Sequence, residues 1–181
     1  MSQLPEYFYE KMNTLLDNQP NQAMYLIRNC YLVGSTVASN LINLENDNDI
    51  DIYYYEYGPK RNKNMMKLYK LLSASNLDQI CEVDLLSFII TDKFYSSEKK
   101  CLTDYIFGEK KEVFSNKVGT LRALNLDGFF LTKLATRCCR NEQRDKNAIK
   151  AVLDNWDNTL PKEVQVAIDN YYLSQYYEEF K

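Results

Sequence analysis

The run Asp49-Ile50-Asp51-Ile52-Tyr53-Tyr54-Tyr55 constrains this chain more than any other segment. Its β-branched and aromatic residues favour a strand, on which successive side chains face opposite ways. Asp49 and Asp51 then share one face, roughly 6 to 7 Å apart along the chain, while Ile50 and Ile52 point into a core. Asn46-Asp47-Asn48 before the run and Gly58-Pro59 after it are turn chemistry.

Helical period recurs on both sides of that strand. Leu4, Phe8, Met12, Leu15 and Leu16 fall at helical spacing over 4–17, and a second helical stretch covers Asn21 to Arg28. Cys30-Tyr31-Leu32-Val33 is a short apolar run of the buried-strand type, broken by Gly34-Ser35, and Thr36 to Leu44 reads as a short helix. Met65 to Leu72 is amphipathic, Gln79 to Thr91 reads as a second long strand, 98–107 as a helix and 110–118 as a strand or edge. From Leu121 the period stays helical, with helices to about Asn141, over Arg144 to Trp156 and from Pro161 to Phe180. The fold class that follows is α/β (α+β), a mixed sheet flanked by helices. Residues 1–120 would form the core and 121–181 a C-terminal helical lobe packed on it.

Composition narrows the chemistry. The 181 residues hold 22 basic and 25 acidic side chains, a net charge of −3, so no global positive field recruits nucleic acid. There is no histidine, which removes the usual zinc ligand and the Ser-His and Cys-His dyads. Any catalysis must rest on carboxylates, lysine or a carboxylate-bound metal. Five cysteines without C-x-x-C spacing, two of them adjacent at Cys138-Cys139, read as small buried thiols of a reducing cytosol. The first residues carry no basic-then-apolar signal, and no apolar run reaches membrane-spanning length. A cytoplasmic protein with no membrane partner is expected.

Val33-Gly34-Ser35 precedes Asp49 by a spacer of thirteen residues. A glycine at the end of a buried strand lets backbone approach a phosphate. Ser35 can hydrogen-bond to that phosphate, and the following helix offers its N-terminus. Ser35 as a plain helix N-cap uses the same local geometry. Two carboxylates on one strand face can straddle two Mg²⁺ ions about 3.5–4 Å apart, the geometry of in-line phosphoryl transfer. A third carboxylate is expected on a neighbouring strand. Val83-Asp84-Leu85 supplies it, with Glu82 competing for the role and aliphatic neighbours favouring Asp84. The plainer alternative for Asp49 and Asp51 is a pair of exposed acids on an edge strand.

In these elements the chain resembles the polymerase-beta-like nucleotidyltransferase superfamily. That pattern is a hydrophobic residue with Gly-Ser, a spacer, Asp-h-Asp-h and a later h-Asp-h. It is met by Val33-Gly34-Ser35, Asp49-Ile50-Asp51-Ile52 and Val83-Asp84-Leu85. The resemblance covers about residues 25 to 90 and implies a nucleotidyltransferase-fold core over 1–120. It further implies transfer of a nucleoside monophosphate from ATP or another NTP to a hydroxyl acceptor, with release of pyrophosphate. Asp49, Asp51 and Asp84 would be the catalytic and metal-binding residues for two Mg²⁺ ions, and Gly34 and Ser35 would hold the nucleotide phosphates. RNA ends, proteins and small molecules all remain open as the acceptor. The alternative is a non-catalytic nucleotide-binding or regulatory module on the same fold.

Residues 131–150 hold six basic and two acidic side chains, a local +4. On one continuous helix Lys133, Arg137, Arg140 and Arg144 would share a face, with Leu124, Leu131, Leu134, Ala135 and Cys138 opposite. A solvated basic face is the bland reading. Lys133-Leu134-Ala135 and Arg144-Asp145 look similar to a lysine helix and a basic-Asp pair of bacterial toxin and abortive-infection nucleotidyltransferases. Ala148 departs from that pattern. The likeness implies that Lys133 and Arg137 bind the nucleotide. Tyr53, Tyr54, Tyr55 and Tyr57 invite base stacking, but aromatic residues on a strand more often pack into the sheet.

Overall fold

The computed structural model describes residues 13–14, 17–18, 20–42, 44, 50–79, 81–84, 86–109, 111–113 and 122–181. The helix expected over 4–17 and the carboxylate of Asp49 lie largely or wholly outside them. Among the described residues five strands form one sheet in the order β3-β2-β1-β5-β4. They are β1 Cys30–Leu32, β2 Ile50–Tyr54, β3 Cys81–Val83, β4 Lys111–Val113 and β5 Arg122–Leu124. β1 is antiparallel to β2 and parallel to β5, β2 is parallel to β3, and β4 is antiparallel to β5. The helices are α1 Pro20–Arg28, α2 Gly34–Leu41, α3 Arg61–Ala74, α4 Leu86–Thr91 and α5 Leu102–Glu109. After β5 follow α6 Leu126–Thr136, α7 Gln143–Asn155, α8 Lys162–Asn170 and α9 Ser174–Tyr177. The chain is a mixed α/β fold, a sheet flanked by helices.

Alternation along β2 sorts its side chains between two layers. On one face Tyr54 donates to Glu56, whose carboxylate also accepts from Tyr25 of α1 and Asn64 of α3, so α1 and α3 cover that side. On the other face Tyr53 stacks on Phe88 of α4 at 4.0 Å and on Phe107 of α5 at 5.0 Å. Tyr31, the β1 partner of Tyr53, meets the same Phe107. Tyr53 and Tyr54 are thus core residues, and Tyr55 is half-buried with its hydroxyl on Asp104. Only Tyr57 stands out in solvent, 84% exposed. Asp51 falls on the Tyr53 side, the layer of α4 and α5.

Four readings of the sequence are corrected. The long strand over 79–91 is short: β3 ends at Val83 and Leu86–Thr91 is helical. Apolar runs of this length fit either state, and helix wins because Phe88 and Thr91, one turn apart, both pack inward. Arg122–Leu124, read as the start of a helix, is a strand paired with β1 and β4, and Asn125 caps the helix that follows by accepting from the Gly128 amide at 2.9 Å. The basic helix stops at Thr136, so Arg137 and Arg140 lie beyond its end and Arg144 lies on α7. Arg137 closes the break itself, donating to the Arg140 carbonyl at 3.2 Å and to Asn141 Oδ1 at 2.8 Å. The last helix likewise breaks after Asn170, where Tyr172 takes a positive φ of 58°.

The cysteines divide with that helix end. Cys30, Cys81 and Cys101 are buried, whereas Cys138 and Cys139 sit exposed in the turn after α6. No helix among the described residues is long and apolar enough to cross a membrane.

Candidate functional site

β1 delivers the chain to Val33, which is buried and stands at the N-cap of α2 without a capping side chain. Ser35 is therefore inside the helix rather than its cap. Gly34 has φ +60°, a conformation that costs an L-residue about 1–2 kcal/mol. The turn also presses against β2. A Cβ built on Gly34 would sit 2.3 Å from Asp51 Oδ2 and 3.0 Å from its Cγ. Only glycine meets both demands, so the Gly34-Ser35 turn is fitted to the Asp51 carboxylate.

Hydrogen bonds stitch the two segments at Asp51, among them the Ser35 hydroxyl donating to Oδ2 at 3.4 Å. Val33 N–H donates to the Asp51 carbonyl at 2.9 Å, and Asp51 N–H donates to the buried Thr36 Oγ1 at 3.0 Å. The Ser35 amide reaches Asp51 Oδ2 at 3.3 Å. Thr36 is a positioning residue that motif reading missed. Its signal was present in the sequence as the third member of Gly34-Ser35-Thr36.

β3 brings the remaining acids. Asp51 registers opposite Glu82 in the parallel β2–β3 pair, and the Asp84 amide extends that pairing by donating to the Ile52 carbonyl at 2.8 Å. Asp51 titrates at about 6, raised from 3.8 chiefly by burial, then by the Asp84 charge and more weakly by Glu82, while Ser35 opposes the rise. No basic side chain among the described residues pairs with Asp51. A half-buried carboxylate facing two further acids is a donor set of hard oxygens, which suits Mg²⁺. As the side chains stand, no three acids or cysteines among the described residues converge on one point. Asp49, the other carboxylate expected from the sequence, lies outside the described residues.

The cations lie on the C-terminal helices. α6 packs against α2, and Lys133 on α6 donates to Asp145 Oδ1 at 2.8 Å. Arg140 grips the same carboxylate, with Nε 2.6 Å from Oδ2 and Nη2 2.9 Å from Oδ1. Asp145 is fully buried. Burial alone would raise its carboxyl, but the Arg140 hydrogen bond and the Lys133 charge hold it below the usual carboxylate range. Arg140 is raised in turn, burial opposing and Asp145 prevailing, with Asp84 among the charges that add to it. Arg140 therefore links the Asp145 pair electrostatically to Asp84. Arg137 turns elsewhere, pairing with Glu179 near the C-terminus, where Lys146 also reaches at 3.2 Å. Gly34, Ser35, Asp51 and Asp84 are thus gathered, with Lys133 adjacent on α6 and Arg137 apart. Arg140 and Asp145, which no sequence argument had singled out as a pair, join them.

No family model, no curated protein and no solved structure matches the chain.

Proposed function

We propose that the chain is a Mg²⁺-dependent nucleotidyltransferase, moving NMP from an NTP to a hydroxyl acceptor and releasing pyrophosphate. The observation that carries this reading is the fit of the Gly34-Ser35 turn onto Asp51, whose carboxylate also feels the charges of Asp84 and Glu82. A backbone turn opening a helix suits phosphate oxygens, since the positive end of the helix dipole faces the anion. Asp49, Asp51 and Asp84 would hold the metal. Bound Mg²⁺ would neutralise phosphate charge and lower the pKa of the acceptor hydroxyl. Asp84 would then orient that hydroxyl towards the α-phosphorus. Lys133 and Arg140, kept charged and aimed by Asp145, would meet the phosphate charge that develops as pyrophosphate leaves.

The test uses each α-labelled NTP with Mg²⁺ and, separately, an RNA pool, a cell-protein pool and a small-hydroxyl pool. Label should enter one pool with one equivalent of pyrophosphate released, and Asp84→Asn should abolish both. Tight NTP binding without metal and without pyrophosphate release would instead favour the non-catalytic nucleotide-binding module.

A further inference from the structure

The basic residues of the C-terminal helices are largely engaged inside the molecule: Lys133 and Arg140 on Asp145, Arg137 and Lys146 on Glu179, Arg144 on Glu142. The reverse holds on α3. Between Tyr57 and Leu77 the sequence has five basic residues and no acidic one, in a chain of net charge −3. Arg61 is engaged, lying over the Tyr53 ring at 5.5 Å with Asp92 at 3.7 Å. Lys60, Lys63, Lys67 and Lys70 are all exposed. Their spacing of three, four and three residues confines them to about 80° of the helix surface. Asn64, Leu68, Leu71 and Leu72 bury the other side. None of these four lysines forms an ion pair among the described residues.

We propose that this lysine stripe is a docking surface for a single strand of nucleic acid, gripped by its phosphates. A rise of 1.5 Å per residue sets Lys60 and Lys70 about 15 Å apart, room for a few consecutive phosphates of one strand. Three or four aligned ammonium groups neutralise repeated charge without reading shape or sequence. A membrane surface suits the stripe poorly. Its binding needs an apolar face free to enter lipid, whereas the apolar face of α3 is buried in the core and Met66 is its one exposed large apolar side chain. An acidic protein partner would call for a cluster of apolar anchors beside the charges, whereas α3 itself exposes a single large apolar side chain, Met66. The stripe lies on the α1–α3 side of the sheet, opposite the layer that Asp51 faces, so the docking proposal stands independently of the chemistry proposed for the acids.

The experiment is fluorescence anisotropy of a labelled, unstructured 20-nucleotide RNA against the full chain over a series of KCl concentrations. The comparison is with the triple variant Lys63→Gln/Lys67→Gln/Lys70→Gln. Each lost contact should flatten the slope of log K against log[KCl] by about 0.7, so the triple variant should lose about 2 in slope and at least tenfold in affinity at 50 mM salt. Lys150→Gln, an exposed lysine on α7, should bind as wild type does. Circular dichroism confirms that the triple variant is folded. Failure of the wild-type chain to bind RNA at 50 mM KCl, or equal slopes for wild type and triple variant, would overturn the proposal. So would lysine-dependent binding to phosphatidylserine vesicles in place of RNA.

Discussion

Replacing Asp51 by Asn should stabilise the metal-free protein, the reverse of what substitution beside a core strand usually does. The carboxyl rises from 3.8 to about 6 in the fold because burial and the Asp84 and Glu82 charges disfavour its ionised form. A rise of that size corresponds to about 3 kcal/mol against the folded state at neutral pH. Solvent screening of a group that remains partly exposed reduces this to about 1–2 kcal/mol. The sign follows from proton linkage. Near pH 4 the folded-state group is protonated and the unfolded-state group about half so, which leaves a penalty of only a few tenths of a kcal/mol. The penalty grows as pH rises through about 6 and is complete at pH 7.5. Asn keeps an oxygen for the Ser35 amide and removes the charge. Thermal denaturation in EDTA should show Tm rising by about 2–8 °C at pH 7.5 and by almost nothing at pH 4. An Asn variant less stable than wild type at pH 7.5, or equally stabilised at both pH values, would refute the argument that Asp51 is held against its own charge.

Three further substitutions probe the same architecture. Gly34→Ala meets both the positive φ and the 2.3 Å approach to Asp51, and should cost about 2–4 kcal/mol in urea unfolding; wild-type stability would mean the turn relaxes freely. Tyr53→Phe removes a buried hydroxyl with no hydrogen-bond partner among the described residues, so the unfolding free energy should rise by about 1 kcal/mol; a loss of stability would reveal a partner. Asp145→Asn leaves Lys133 and Arg140 without their shared buried carboxylate and should cost about 3–5 kcal/mol at pH 7. Because that carboxyl is held below its ordinary value, its contribution is present above about pH 4 and fades as pH falls further. The acid limb of the wild-type Tm profile should therefore flatten in the variant, and an unchanged limb would assign acid lability elsewhere.

What could be read from the sequence was local. The β2 strand showed in its period of two, and the Gly34-Ser35 break marked where β1 hands over to α2. The elements that escaped were those settled by tertiary contact. Leu86 to Thr91 is apolar enough for strand or helix, and packing of Phe88 on Tyr53 decides between them. Three residues, Arg122 to Leu124, are too few for a period to show, and their strand exists because β1 and β4 flank it. The basic residues after Thr136 looked like one stripe because nothing in composition announces a helix end closed by an arginine on a carbonyl. In the structure Glu82 registers opposite Asp51 while the Asp84 charge acts on it more strongly, and spacing alone offered both acids. It could not show that Arg137 is engaged by Glu179 near the C-terminus while Arg140 is held on Asp145.

The central claim is that the acid cluster beside the Gly34-Ser35 turn holds a divalent cation together with nucleotide phosphates. Mn²⁺, which takes the same oxygen ligands as Mg²⁺ and is visible by electron paramagnetic resonance, tests it directly. Titrated with Mn²⁺ and a non-hydrolysable NTP analogue, the wild-type chain should remove one or two equivalents of the free-ion signal beyond what the analogue removes by itself, and Asp51→Asn should remove almost no more than the analogue does. Equal depletion by both proteins, or none by the wild type, would contradict the account.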